Sequence, residues 1–142
     1  MLRLTRKVEY GLLAVDYLAN HQGNGCVNAR EIATQHGIPL ELLAKVLQAL
    51  VRKGVVASEH GAHGGYRLAR SLAEMTLVDL VSALDGPVRL VECEPEEPGE
   101  CPQYSTCTIR EPIERVQRNL QQFLGHVTLE QLVRHGTVVV EV

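Results

Sequence analysis

The most constraining feature of this sequence is a pair of helical patterns joined at Gly37 and followed by a glycine-rich hairpin pattern. The pattern over 29–35 ends before Gly37, and Pro39 begins a second amphipathic helix over 40–53. Proline suits the first turn of a helix, because the amide that it lacks would have no partner there. Two helices joined by a short turn are typical of a helix-turn-helix. The segment 60–65, HGAHGG, lies between two extended runs, which predicts a β-hairpin, or wing.

Helical patterns on both sides of this unit indicate a mainly α chain. Apolar residues at helical spacing predict a first helix over 4–20, and Thr76 is placed to cap a helix over 77–84. A very short strand is expected at Cys26-Val27. Near the end of the chain, we expect a short helix over 128–135 and a strand over 138–142.

A heptad pattern follows residue 108 and lasts nearly three repeats. It predicts a long helix that packs against another helix, for which a second copy of the chain is the expected partner. We therefore expect a mainly α fold with a small β wing, a winged helix-turn-helix plus a long dimerisation helix. The expected division is a DNA-binding domain over 1–90, a cluster-binding loop over 91–108, and a dimerisation helix with a C-terminal segment over 109–142 that packs back on the first domain. The apolar positions of the repeat are Ile109, Ile113, Val116, Leu120, Phe123 and Val127.

The helix predicted over 40–53 has polar residues along one face. In a helix-turn-helix the second helix lies in the DNA major groove, so that Lys45 and Gln48 are placed to meet base edges. Arg52, Lys53 and the wing residues Arg67 and Arg70 are placed to meet phosphates. Residues 1–90 carry ten Lys and Arg against eight Asp and Glu, whereas 91–142 carry four against nine, which assigns a DNA-facing surface to the first part. An ordinary solvated helix face is the alternative for each residue. The predicted DNA contacts are Arg3, Glu41, Lys45, Gln48, Arg52, Lys53 and Arg67.

Cysteine content favours metal, cluster or redox chemistry over structural disulfides. The first ten residues do not resemble a secretory signal and no run is long enough to span a membrane, so we expect a cytoplasmic protein without membrane contact, in which thiols stay reduced. Cys93, Cys101 and Cys107 lie on a loop that contains proline and glycine and is able to wrap around a cluster. From this spacing alone, a metal or cluster site, redox-active thiols and merely exposed thiols all stay open. Cys26 is expected to be a small buried hydrophobe.

Five segments carry a resemblance to a known family: RLTRKVEY, REIATQHGIPLELLAKVLQALVRKGVV, GAHGGYRLA, TLVDLVSALDG and TLEQLV. They cover nearly all of the chain, which resembles the winged-helix transcription regulators that include IscR, NsrR and RirA. The resemblance implies a homodimer that binds a near-palindromic double-stranded DNA operator. It also implies an iron-sulfur cluster, either 2Fe-2S or 4Fe-4S, that is held by Cys93, Cys101 and Cys107 and governs DNA affinity.

The fourth cluster ligand is where the sequence departs from one pattern of this family. IscR-like members have a histidine at the third position after the last cysteine, but Arg110 stands there in this chain and has no lone pair to offer iron. In other members an acidic residue on the first helix of the partner subunit completes the cluster, and Glu9 occupies the matching position. A surface glutamate near a helix start, Glu92, Glu94 and a small external ligand are the alternatives.

The function that these features predict is transcription regulation rather than catalysis. The resemblance implies control of genes for iron-sulfur cluster assembly or iron homeostasis, and a repressor that senses nitric oxide or redox stress is the alternative within the family. A cluster-free regulator, whose thiols form reversible disulfides or bind zinc, is a further alternative. An enzyme is disfavoured, because no nucleotide-binding glycine loop, Ser-His-Asp order or catalytic carboxylate pair is apparent.

Overall fold

The computed structural model describes residues 2–91 and 101–134, which form six α-helices and one antiparallel hairpin. This confirms the expected mainly α fold with a small β wing, and each helix bound lies within two residues of its prediction where one was made. The strand expected over 138–142 lies outside the described residues. In chain order, the elements are α1 (Arg6–Asn20), α2 (Ala29–His36), α3 (Leu40–Arg52), β1 (Val56–Glu59), β2 (Gly65–Leu68), α4 (Leu77–Asp85), α5 (Arg110–Gly125) and α6 (Leu129–Val133).

The helix-turn-helix is built from local signals at both ends of α2. The Asn28 side chain caps the helix by accepting a hydrogen bond of 2.8 Å from the Arg30 amide. At the other end, Gly37 has φ 63° and ψ 32°, a left-handed conformation that glycine adopts without strain. Pro39 directly precedes α3. The chain therefore reverses within three residues and presents α3 beside α2.

The wing packs against Val27 in the segment between α1 and α2. Val56 pairs with Leu68 at one end of the hairpin, and Tyr66 exchanges two backbone hydrogen bonds of 2.8 Å with Val27. This bridge is the very short strand expected at Val27. Gly65 has φ 151°, and a Cβ there would overlap the Val27 carbonyl. Glycine at position 65 is thus required for the hairpin to approach Val27.

The core lies where the inner faces of α1, α2, α3 and α4 meet the base of the wing. A capping box between Thr76 and Asp79 begins α4, as predicted for Thr76. Gly11 of α1 allows α4 to approach closely, because a Cβ there would overlap the Leu84 side chain. Large side chains from each of these elements and from α6 are fully buried, among them Leu18, Ile32, Leu47, Leu80 and Leu129.

Helix α5 lies outside this core but is held to it at several points. The Gln121 side chain donates to the Val88 carbonyl at 2.8 Å, and the Gln117 side chain accepts from the Leu90 amide at 2.8 Å. No residue of α5 is buried in the described chain. The predicted heptad run is wrong at its last position, because α5 ends at Gly125 and Val127 is buried beyond it.

The segment after α5 returns to the core. The Leu77 amide donates to the Val127 carbonyl and the Leu129 amide donates to the Met75 carbonyl, each at 2.8 Å. A capping box between Thr128 and Gln131 begins α6. These contacts place Leu129 inside the core, while the expected division into domains over 1–90, 91–108 and 109–142 stays a prediction.

Candidate functional site

Helix α3 presents an exposed polar face above a buried apolar one. Leu43, Val46, Leu47 and Leu50 face the core. All of the predicted DNA contacts on this helix and at its C-cap have exposed side chains. They are Glu41, Lys45, Gln48, Arg52 and Lys53. Within the described residues, Lys45, Arg52 and Lys53 make no ion pair or side-chain hydrogen bond. Their charges are therefore free for an anionic partner.

Two grooves flank α3 and leave it standing as a ridge. The groove on one side, of about 490 Å³, lies against α1 and α4 and carries Arg6, Lys7 and Lys45 at its lining. The groove on the other side, of about 420 Å³, lies between α3 and the wing and is lined in part by Gln48 and His60. A helix that enters the major groove of DNA has a phosphate strand on each side of it. The ridge and its two basic or polar grooves match that shape.

The wing contributes one cation that is already paired. Arg67 of β2 lies 3.0 Å from the Glu59 carboxylate of β1, and both side chains are more than half exposed. The hydrogen bond from Arg67 is the main reason that the pKa of Glu59 is lowered from its ordinary value. Arg3 is exposed just before α1. The structure thus leaves Arg3 and Arg67 at the surface, and their DNA contacts stay predictions.

Cys26 lies at the base of the wing and is not simply a buried hydrophobe. Its side chain is half-buried, which corrects the sequence-based expectation of full burial. Burial is the largest cause of the raised pKa of the Cys26 thiol, and a hydrogen bond to Glu59 adds to it. A raised pKa keeps the thiol protonated at neutral pH, so that Cys26 is a poor nucleophile and a poor metal ligand. The sequence contained no signal for this contact, since 33 residues separate its partners.

Two of the three loop cysteines fall on a short turn before α5. Cys101 is exposed, Cys107 is half-buried, and both thiols are free. The Tyr104 amide donates to the Cys101 carbonyl at 3.1 Å, and the Thr106 amide donates to the Gln103 carbonyl at 3.1 Å. Cys93 lies outside the described residues, as do Glu92 and Glu94. The structure therefore brings Cys101 and Cys107 onto one hydrogen-bonded turn.

Arg110 closes this turn. Its guanidinium donates from Nη1 to the Tyr104 carbonyl at 3.1 Å, and its Cζ atom lies 4.1 Å from the centre of the Tyr104 ring. The first residue of α5 thus contacts both the backbone and the side chain of the residue midway between the cysteines. Sequence reasoning excluded Arg110 as a ligand but missed this contact.

Glu9 is paired with Arg6 at the surface of α1. It lies in the first turn of α1, where its carboxylate is 3.1 Å from the Arg6 guanidinium and remains 45% exposed. In residues 2–91 and 101–134, no three His, Cys, Asp or Glu side chains are grouped as a metal site. A ligand role for Glu9 toward the partner subunit stays a prediction.

Comparison with protein-family models matches residues 4–135 to the Rrf2 family, described as an iron-dependent transcriptional regulator. The chain is 31% identical to the protein rrf2 of Nitratidesulfovibrio vulgaris over 96% of its own length and 91% of that protein. It is also 31% identical to the transcriptional regulator IscR of Pectobacterium carotovorum, over 96% of its own length and 82% of that protein.

A solved structure shares the same fold. The structure of CymR, the global cysteine regulator of B. subtilis, superposes with a TM-score of 0.74 at 30% identity and covers 95% of this chain and 98% of that one. None of the helices in residues 2–91 and 101–134 has the length and apolar character needed to cross a bilayer.

Proposed function

Because the chain belongs to the Rrf2 family of DNA-binding transcription regulators, which are not enzymes, we propose that it is a homodimeric regulator whose operator affinity is controlled by an iron-sulfur cluster. The observation that carries the DNA-binding part is the exposed face of α3. It combines three cations that have no partner within residues 2–91 and 101–134, Lys45, Arg52 and Lys53, with grooves on both sides of the helix. A regulator of this kind acts on DNA in the cytoplasm, which is the location that we propose.

An apolar stripe along α5 supports the homodimer. Ile109 is 63% exposed, Val116 is 52% exposed and Phe123 is 43% exposed, at intervals of seven residues. Side chains at this spacing lie on one face of a helix and form a seam when two helices pack. A second copy of α5 would cover the stripe and place two α3 helices in successive major grooves, with half-sites about 34 Å apart or a multiple of that distance.

The chemistry of the turn before α5 fits a cluster. Cys101 and Cys107 are free thiols on one turn, and thiolates are the ligands that iron and sulfide favour. Cys93 would supply a third thiolate, and Glu9 of the partner subunit would supply an oxygen ligand. The cluster, either 2Fe-2S or 4Fe-4S, would supply a centre whose loss or modification changes the charge and shape of this turn.

The proposed signal is the supply of iron or of iron-sulfur clusters, and the proposed targets are genes for cluster assembly or iron homeostasis. The description of the family as iron-dependent and the similarity to IscR support this choice. A repressor that senses nitric oxide or redox stress through the same thiols is the alternative, and only the response to each signal separates the two.

Visible absorption and the iron and sulfide content of protein purified without oxygen test the cluster. We expect a brown wild type with equal iron and sulfide, a colourless Cys101→Ala variant, and an altered spectrum for Glu9→Ala. Cys26→Ala is the matched control, since Cys26 lies at the wing and should leave the spectrum unchanged. A colourless wild type that still binds operator would contradict cluster control. An unchanged spectrum in Glu9→Ala would remove Glu9 from the ligands.

A cluster-free thiol switch is the second candidate. It is favoured by the exposure of Cys101 on the same turn as Cys107, and by the similarity to CymR, a cysteine regulator. In this mechanism, hydrogen peroxide oxidises the two thiols to one disulfide and is itself reduced to two molecules of water. Mass spectrometry of apoprotein would find a loss of two hydrogens on the peptide that joins 101 and 107, together with a change in operator affinity that dithiothreitol reverses.

A further inference from the structure

We propose that Arg110 is a positioning residue that holds Cys101 and Cys107 ready to bind a cluster by clamping the turn between them through Tyr104. The inference rests on the proposed cluster. It assigns a role to the position where IscR-like members have a histidine ligand. Arg110 at that position cannot bind iron, but its side chain contacts Tyr104.

The clamp consists of two contacts from one guanidinium to one residue. Arg110 donates to the Tyr104 carbonyl at 3.1 Å and stacks against the Tyr104 ring at 4.1 Å. Both side chains are half-buried. The planar guanidinium is able to make both contacts at once, whereas the ammonium of lysine is a single compact charge. The pair therefore fixes the position and the orientation of Tyr104.

Tyr104 passes this constraint to the thiols through the backbone. The Tyr104 amide donates to the Cys101 carbonyl at 3.1 Å, and the Tyr104 carbonyl accepts from the Arg110 guanidinium. The Thr106 amide and hydroxyl both bond to the Gln103 carbonyl, at 3.1 Å and 3.4 Å, just before Cys107. A continuous chain of hydrogen bonds thus runs from Cys101 to the first residue of α5.

The N-cap residue of α5 is apolar. Ile109 stands at the N-cap position and makes no side-chain hydrogen bond to the helix. Polar residues usually occupy that position and fix the direction from which the chain enters a helix. Arg110 supplies that fixed geometry instead, by bonding backward to Tyr104. A fixed turn lowers the entropy that Cys101 and Cys107 lose when they bind a cluster.

The charge of Arg110 acts in the same direction as its geometry. A cluster bound by thiolates carries negative charge, and a guanidinium stays protonated under all ordinary conditions. A cation fixed on the same turn therefore favours the bound cluster. Arg110→Lys would keep the charge but lose the stacked, planar contact.

Cluster release to a ferrous chelator, followed by absorption without oxygen, tests the clamp. Loss of a charged hydrogen bond and a cation-π contact should accelerate release about tenfold in Arg110→Ala. Arg110→Lys should be intermediate, because it keeps the charge but loses the planar contact with the Tyr104 ring. Arg115→Ala is the control, since Arg115 lies on the same helix and pairs with Glu111 at the surface. Release at the wild-type rate in Arg110→Ala would overturn the proposal.

Alkylation of the apoprotein by iodoacetamide separates this proposal from the proposed function. If the clamp orders the turn, Arg110→Ala should change the ratio of the labelling rates of Cys101 and Cys107 by at least about twofold, and the rate at Cys26 should stay constant. If the wild type held no cluster, cluster control would be refuted. The ratio of the labelling rates of Cys101 and Cys107 would still test the clamp in that case. An unchanged ratio in Arg110→Ala would refute the clamp whether or not a cluster is present.

Discussion

Two lysines of α3 are predicted to meet different parts of the DNA, and their alanine variants separate the two roles. Lys45 lies on the polar face near the middle of α3, whereas Lys53 stands at its C-cap. Both side chains are exposed and neither has a partner among the described residues. Truncation thus breaks no ion pair or side-chain hydrogen bond among the described residues, and the free energy of unfolding should change by less than about 0.5 kcal/mol. A loss of affinity in either variant then measures a contact with DNA.

The two roles differ in their expected magnitudes. Removal of a base contact in Lys45→Ala should cost about 1 to 3 kcal/mol per half-site on the operator and almost nothing on unrelated duplex. Removal of a phosphate contact in Lys53→Ala should weaken binding to every sequence. It should also lower the slope of log K against log salt concentration by about 0.9 per subunit, or about 1.8 per dimer. Between about 50 and 200 mM salt, the affinity of Lys53→Ala should therefore fall about twelvefold less than that of the wild type.

Fluorescence anisotropy with a labelled operator and a scrambled duplex, at four salt concentrations, measures both effects. Arg115→Ala on α5 is the control for the loss of one surface cation away from α3. If both lysine variants lose affinity by the same factor on both duplexes, with the same change in the salt slope, α3 does not divide its contacts between bases and phosphates. If neither variant changes the affinity, α3 is not the DNA-facing helix.

Three further substitutions test the scaffold behind this surface. Gly65→Ala forces a side chain into a left-handed conformation and against the Val27 carbonyl. It should cost at least about 2 kcal/mol in a urea titration, and an unchanged midpoint would contradict the packing of the wing on Val27. Leu129→Ala empties a fully buried position, so Tm should fall by about 10 °C, a loss of about 3 kcal/mol; a fall of less than about 3 °C would mean that α6 is not docked in the core. Glu59→Gln removes the ion pair with Arg67 that lowers the pKa of Glu59. A lowered native pKa gives stability that is present above the ordinary pKa of a carboxyl group and is lost as the pH falls through the native value. Thermal melts between about pH 3 and pH 7 should thus show a shallower acid loss for Glu59→Gln than for the wild type, and parallel curves would count against the pair.

Much of the fold could be predicted because its signals are local. Asn28 as a cap, Gly37 as a left-handed turn and Thr76 as the start of a capping box each act within four residues of their own position. The buried face of α3 follows from the helical period alone, and so does its exposed polar face. The residues that were predicted to lie on the polar face are exposed, and their contacts with DNA stay predictions.

The contacts that escaped prediction join residues which no periodicity relates. The Cys26 thiol meets Glu59 because the wing folds back onto the segment before α2, and nothing near either residue marks the other. Val127 continues the apolar period of α5 in the sequence, but it lies beyond the end of that helix, where it is buried and its carbonyl accepts from the Leu77 amide of α4. From the sequence, Arg110 could only be excluded as a ligand. Its contact with Tyr104 is visible only in the structure.

The anchorage of α5 at its carboxyl end has a mechanical consequence. Val127 and Leu129 fix that end in the core, while Arg110 and the two thiols lie at the other end of a helix of 16 residues. At 1.5 Å per residue, the helix is a stiff rod about 24 Å long, so a tilt of about 10° at the fixed end moves the thiol end by about 4 Å. Conversely, a displacement of several ångströms at the thiol end corresponds to a rotation of α5 by a small angle at its carboxyl end, beside the core that carries α3. In the proposed dimer, a small change of this angle in each subunit would shift the two α3 helices relative to successive turns of DNA.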